Sequence, residues 1–288
     1  MKILIKLFLL TLCCVNAVAQ ESDRVLARVR YTYSNNRDTL KTKNTRTENM
    51  ILFIGKNASL YTSYDKIRYE LSEDQKSQAS ALTRVSNGGR PQIIKIDRSA
   101  GEWLTNTNQL MFPNEKKMIT KETILGMGYL ITEPLPELKW KITRDTLTLS
   151  GVACQKATTT FEGKNWIAWF APSLPFASGP WQLQGLPGLI LTAYDENKST
   201  QFQFAGFEKA NEGDFKRTTD VRTKPGAHPG DINTLDVHMS LEVAAAYFEN
   251  NIQTPTYRSA KTTRKEYDKL KAAYLKDPVG FSKTQFRY

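Results

Sequence analysis

Cys154, His228, His238, Asp231 and Asp236 are the side chains best suited to chemistry in this sequence. Cys154 is a candidate nucleophile with either histidine as its base. No spacing ties the three together, and a lone cysteine in a strand-like run reads first as a small buried hydrophobe. His228-Pro229-Gly230-Asp231 and Asp236-Val237-His238 offer nitrogen and oxygen donors for a metal. Their spacing matches no compact ligand set, so no metal or other cofactor is expected. The chain carries no Gly-x-Ser-x-Gly elbow, phosphate loop, dinucleotide fingerprint or EF-hand spacing. Glu133 and Glu137 flank prolines and read as solvated. A binding role therefore comes ahead of an enzyme.

Aromatic residues are the stronger signal. Trp166, Trp169 and Trp181 are three of five tryptophans, with Phe170 and Phe176 between them. Trp166 and Trp169 are an odd number apart, so on one strand they point to opposite faces. One face belongs to a core; the other must meet a helix, a sheet or a ligand. Packing explains such residues most simply, and a stacking platform for peptide, sugar or lipid is the functional reading. Just beyond lies Gly185-Leu186-Pro187-Gly188-Leu189-Ile190. Pro187 presets φ and Gly188 admits positive φ, which predicts a type II turn leading into a buried strand. A sharper reading has amides near Gly185 and Gly188 lining an anion or peptide site, although the motif holds no basic residue. The candidate binding set is Trp166, Trp169, Phe170, Phe176, Trp181, Gly185, Leu186, Pro187 and Gly188.

The elements that must position these residues are mostly strands. Val25, Ala27, Val29, Tyr31 and Tyr33 alternate with more polar positions, a period of two. Strands are also expected at 50–54 and 59–63 around a Gly55-Lys56-Asn57 turn. Others are expected at 92–96, 102–105, 128–133, 140–143, 153–161, 166–171, 189–194 and 200–208. One helix is expected at 65–82. The polar stretch 209–236 precedes two more helices, at 241–250 with Ser240 as cap and at 263–276, ended by Pro278. The fold class is α+β: a mostly antiparallel, curved or partly closed sheet, one helix in the N-terminal half and two C-terminal helices. Residues 20–208 form the β domain, and 209–288 form a loop and helical tail packed on it.

Of 288 residues, 40% are hydrophobic and 24% charged, which excludes a disordered or fibrous chain. Residues 1–19 read as a secretory signal. Lys2 and Lys6 precede the apolar run 7–15, and Ala17-Val18-Ala19 is a cleavage site. Lipid attachment at Cys13 or Cys14 is the weaker alternative, because Leu12 and Cys13 are not the small residues it needs. No later run is long enough for a transmembrane helix. Cleavage before Gln20 leaves Cys154 as the only cysteine and lowers the net charge from +11 to +9. No nucleic-acid motif accompanies that charge, which reads as a soluble surface. The mature chain is expected in the periplasm or associated with the outer membrane.

The run Gly151-Val152-Ala153-Cys154-Gln155-Lys156-Ala157, then Trp166-Ile167-Ala168-Trp169-Phe170-Ala171, Gly179-Pro180 and the hexapeptide 185–190 resembles the GLPGLI family. These are exported proteins of Bacteroidetes-type bacteria without an assigned activity. Leu174 stands where isoleucine is usual, and Gly163-Lys164 where Gly-Arg is common. The specific part of the resemblance covers about 40 residues. It implies an accessory protein working with envelope machinery such as a TonB-linked outer-membrane receptor, with the aromatic stretch as contact surface. A carrier of an apolar ligand, lipid or peptide, between the sheet and the tail helices is the alternative. A metal- or cysteine-dependent hydrolase comes third.

Overall fold

The computed structural model describes residues 23–36, 45–86, 104–210, 239–255 and 259–285. Strand β1 (Asp23–Arg24) leads into β2 (Ala27–Asn36), whose Ala27, Val29 and Tyr31 are fully buried. β3 (Thr45–Ile54) and β4 (Ser59–Ser63) form the expected hairpin, with Asp23 accepting hydrogen bonds from the turn amides of Asn57 (2.6 Å) and Ala58 (2.7 Å). Helix α1 (Tyr64–Ser86) begins where the Lys66 N–H donates to Ser63 Oγ at 3.0 Å. Next come β5 (Asn108–Phe112), a 3-10 turn at Pro113–Glu115, β6 (Lys117–Ile124) and β7 (Met127–Pro134). A meander of β8 (Lys141–Leu149), β9 (Val152–Phe161), β10 (Lys164–Ala171), β11 (Leu189–Asp195) and β12 (Thr200–Lys209) follows. The tail holds α2 (Leu241–Phe248), β13 (Asn251–Ile252), β14 (Ser259–Thr262), α3 (Arg264–Lys276) and α4 (Pro278–Gln285).

Twelve strands make one sheet in the order β14-β7-β6-β5-β4-β3-β2-β12-β11-β10-β9-β8, and β1 pairs separately with β13. Among the described residues only β14 runs parallel to its neighbour. The sheet is therefore mostly antiparallel and open, with β14 and β8 at its edges. It is also strongly curved. Thr120 on β6 and Trp166 on β10 are seven strand spacings apart, about 34 Å on a flat sheet. They nevertheless line one cavity.

The two faces are covered differently. On the convex side α1 and α2 bury Ile51, Phe53, Leu60, Leu110 and Ile119 beneath Ile67, Val243, Ala244 and Ala246. Glu242, 1% exposed, fixes α2 there. It accepts from Asn108 Nδ2 (2.8 Å) and Lys121 Nζ (3.0 Å), while Thr62 Oγ1 donates to Asn108 Oδ1 (2.7 Å). Arg28, on this side of β2, bonds Asn250 Oδ1. On the concave side Tyr31, Leu52, Trp166, Phe170, Leu191 and Phe202 form a second core with the connection 172–188. A third, smaller core joins Ile131 and Tyr129 to Tyr267 and Phe281 of the tail.

Several expectations need correction. β5, β6 and β14 were not foreseen, and 104–107 is irregular rather than strand. The expected strand at 92–96, residues 102–103 and the stretch 211–236 lie outside the described residues. Among the described residues three helices follow residue 239, not two. Pro278 ends α3 but also opens α4, because proline is well suited to the first position of a helix and the Gly280 N–H bonds Asp277 Oδ1 at 2.9 Å. Ser240 sits at the α2 N-cap without capping by its side chain; its Oγ accepts from Asn108 Nδ2 at 2.9 Å.

Candidate functional site

The connection between the neighbouring strands β10 and β11 spans residues 172–188, although adjacent antiparallel strands need only a short turn. Unbranched connections of this length are uncommon and are usually functional. This one is tied down throughout. The Gly185 N–H donates to Ala177 O (3.1 Å), Leu189 N–H to Leu174 O (2.9 Å) and Ile190 N–H to Ser178 O (3.0 Å). Trp140 Nε1 donates to Gln184 O (2.8 Å), Gln184 Nε2 to Pro136 O (2.9 Å) and Tyr31 Oη to Ile190 O (2.7 Å). Leu183 and Leu186 are sealed in the concave core.

The expected type II turn is absent. The Leu189 N–H that would close it is taken by Leu174 O, and the Gly188 N–H instead donates to Leu186 O at 2.8 Å. That is a three-residue turn about Pro187. Gly188 is required for another reason: a Cβ there would lie 2.3 Å from Ala171 O. Gly185 has φ +90° and open space around it, and Pro187 is exposed.

The connection carries Trp181 over the sheet. Its backbone has φ +55°, a left-handed conformation costly for a bulky residue. The ring lies 5.7 Å from Trp166, 5.5 Å from Phe161 and 6.5 Å from Phe202, nearly parallel to the last. Phe202 in turn stacks on Tyr33 (5.3 Å) and Trp166 (6.1 Å). Trp166, Trp181, Phe202 and Tyr33 line one side of a cleft of about 480 Å³ in the concave face. That size lies within the range of small-molecule sites, about 300–1,000 Å³.

The other side is polar. Tyr61 on β4, Gln109 on β5 and Thr120 on β6 are direct cross-strand neighbours, so they share one face. They are 4%, 7% and 2% exposed. Tyr61 Oη, Gln109 Oε1 and Thr120 Oγ1 all lack a hydrogen-bond partner. Buried polar atoms are nearly always satisfied; these three lie side by side, in residues that line the cleft. Burial pushes the Tyr61 phenol well above its ordinary range, with the nearby tyrosines and Glu48 adding to the effect, so it stays protonated.

Three of the four charged residues lining the cleft, Arg264, Glu122 and Lys164, are engaged, and the fourth, Glu162, is exposed. Arg264 of α3 donates to Glu122 (2.9 Å) and to both oxygens of Glu133 (3.3 and 2.9 Å). Glu133 is thus ion-paired rather than simply solvated, whereas Glu137 is exposed beside Lys116. Burial pushes the Glu122 carboxyl up, but hydrogen bonds from Arg264, Lys271 and Tyr267 outweigh it and hold it below the usual range. Lys164 lies 3.1 Å from Asp195 and donates to Thr200 Oγ1 at 2.7 Å.

Of the sequence-predicted set, only Trp166 and Trp181 line the cleft. Phe170 and Leu186 are buried core beneath it, and Phe176 packs half-buried against Phe207. Trp169 is half-buried and points to the opposite face, opposite Lys156 and Thr192. Tyr33, Tyr61, Gln109, Thr120 and Phe202 were missed. Gln109 and Thr120 give no sequence signal because polar residues at inward positions erase the alternation that reveals a strand. Cys154 is buried, its thiol pushed up by burial, and donates to Val152 O at 3.5 Å. His228, Asp231, Asp236 and His238 lie outside the described residues. Among the described residues no three His, Cys, Asp or Glu side chains gather into a metal site, and no helix is long and apolar enough to cross a membrane.

Two solved structures of PNGF-II, in the P21 and C2 space groups, resemble this chain with TM-scores of 0.47 and 0.46 at 10% identity. The similarity covers 85% and 84% of this chain, which spans about a third of theirs (32%). No curated protein matches the chain. Residues 156–192 match the family model described as a protein of unknown function (Porph_ging), a segment that holds β10, the whole connection 172–188 and most of β11.

Proposed function

We infer that this chain is a ligand-binding protein of the cell envelope that holds a small molecule in the concave cleft. The observation that carries this reading is the row of Tyr61, Gln109 and Thr120, buried, unpartnered and lining a cavity with an aromatic far side. Unmet polar atoms at such depth cost stability, and a bound molecule offsets that cost. The left-handed backbone at Trp181 supports the same site, because strain of this kind collects at ligand clamps. Export rests on the signal-like residues 1–19, and a role beside a TonB-linked envelope transporter rests on the family resemblance. Trp166 is buried and Trp181 half-buried against it, which favours a ligand within the cleft over the aromatic stretch as a surface for a partner protein.

One isolation tests the reading. Tagged protein drawn from its native cells under non-denaturing conditions is expected to begin at Gln20. On denaturation it should release a stoichiometric small molecule that Trp181→Ala protein lacks. An intact Met1, or equal release from both proteins, overturns it.

A further inference from the structure

We propose that helix α3 is a lid on the concave cleft, latched to the sheet through Glu122, and that the tail β14-α3-α4 opens as a unit while the rest of the sheet stays folded. Arg264, the first residue of α3, lines the cleft beside Glu122 of β6, so the tail forms part of its wall. A lid of this kind is independent of what the cleft holds.

The latch is a carboxylate of the sheet held wholly from the helix. The Glu122 side chain is only 13% exposed. Its Oε1 accepts from Arg264 Nη1 at 2.9 Å, its Oε2 from Lys271 Nζ at 3.0 Å, and the Tyr267 hydroxyl also donates to it. All three donors belong to α3. Arg264 reaches further along the wall and grips both oxygens of Glu133 on β7. Release of α3 therefore leaves Glu122 ionised, largely buried and without a partner in the cleft wall. That is a costly state, and it opposes opening.

Otherwise the tail is held lightly. Of the thirteen residues of α3 only Tyr267 is buried. The core that joins α3 and α4 to β6 and β7 consists of Ile124, Tyr129, Ile131, Tyr267 and Phe281, far smaller than the concave core. Leu275 and Val279 of the same tail remain 69% and 66% exposed. β14 adds four residues at the edge of the sheet, paired in parallel with β7, and parallel pairing is the weaker kind. Segments with so little buried apolar contact open below the free energy of global unfolding. The ionic latch is thus a large share of what keeps the lid shut.

Hydrogen exchange of the full chain, read by mass spectrometry, tests the lid together with acrylamide quenching of tryptophan fluorescence. Amides of β14, α3 and α4 are expected to exchange faster than those of β10 and β11. They should speed up further between about 0.1 and about 1 M sodium chloride, as the screening length falls from about 10 to about 3 Å. Arg264→Gln and the milder Tyr267→Phe should each accelerate the tail about tenfold, the scale of one lost charge-assisted hydrogen bond, while β10 and β11 keep their wild-type rates. Comparison of each protein with its Trp181→Phe counterpart isolates the Trp181 signal, whose quenching should rise in both variants. Tail amides that exchange only with the whole sheet, or variants that speed β10 and β11 equally, show one cooperative unit and overturn the lid. A tail indifferent to salt and to both substitutions overturns the latch. Tail opening without any rise in Trp181 quenching overturns its role in covering the cleft.

Discussion

A Cβ at Gly188 would lie 2.3 Å from Ala171 O, whereas one at Gly185 would meet nothing within 4 Å. The two glycines of the same hexapeptide therefore do different work. Gly188 lets the connection close against the end of β10; Gly185 supplies a φ of +90°. Gly188→Ala is expected to lower stability by about 3 kcal/mol through overpacking against backbone. Gly185→Ala should cost only about 1 kcal/mol, the left-handed penalty alone. Urea denaturation of both variants decides it, and equal losses would mean that the close contact with Ala171 is not what Gly188 serves.

At the scale of elements, α1 and α2 meet the convex face through polar as well as apolar contacts. Glu70 of α1 is 8% exposed. Burial pushes its carboxyl up to about 7, opposed by Lys66 and reinforced by Glu242. The folded pKa lies above the ordinary 4.5, so the native state holds this proton more tightly than the unfolded chain. Its contribution is complete below pH 4.5 and is lost as the pH rises through about 7. Glu70→Gln, which mimics the protonated acid, should gain about 1–3 kcal/mol at pH 8. That gain should vanish near pH 4.5, in denaturation curves at the two values. A gain independent of pH would show that the carboxyl is not what titrates. Elsewhere, two elements escaped the sequence reading for the reason that matters most. β5 and β6 place Gln109 and Thr120 where an apolar residue would have completed the pattern, and those positions line the cleft. Local rules fail where a site has displaced packing.

For the whole molecule, a twelve-stranded open sheet must protect two edges. β14 is short, and α3 and α4 pack on its neighbour β7 through Tyr267 and Phe281. β8 is largely exposed. It carries Lys141, Arg144 and Asp145, and its register with β9 shifts between Ile142 and Thr146. Charge and irregularity of this kind discourage pairing between molecules. Replacing Lys141 and Arg144 with valine should leave the unfolding midpoint close to wild type and produce concentration-dependent association in analytical ultracentrifugation. A doubly substituted protein that stays monomeric would mean that the register shift alone guards the edge.

The sequence by itself determined most strands, the helix α1 and the existence of a helical tail, because these rest on local period and on turn chemistry. It also separated Trp166 from Trp169, since alternation along one strand needs no long-range information. It misread the Leu186–Leu189 turn, because the competing acceptor, Leu174 O, is supplied by the far end of the same connection. Only the tertiary structure decided which aromatic residues meet. Curvature brings β6 and β10 to one cavity, and no pattern within a strand encodes how far a sheet will curl. The unpartnered row across β4, β5 and β6 belongs to that same level. Each of its residues is unremarkable alone, and they form a row only when register sets them side by side.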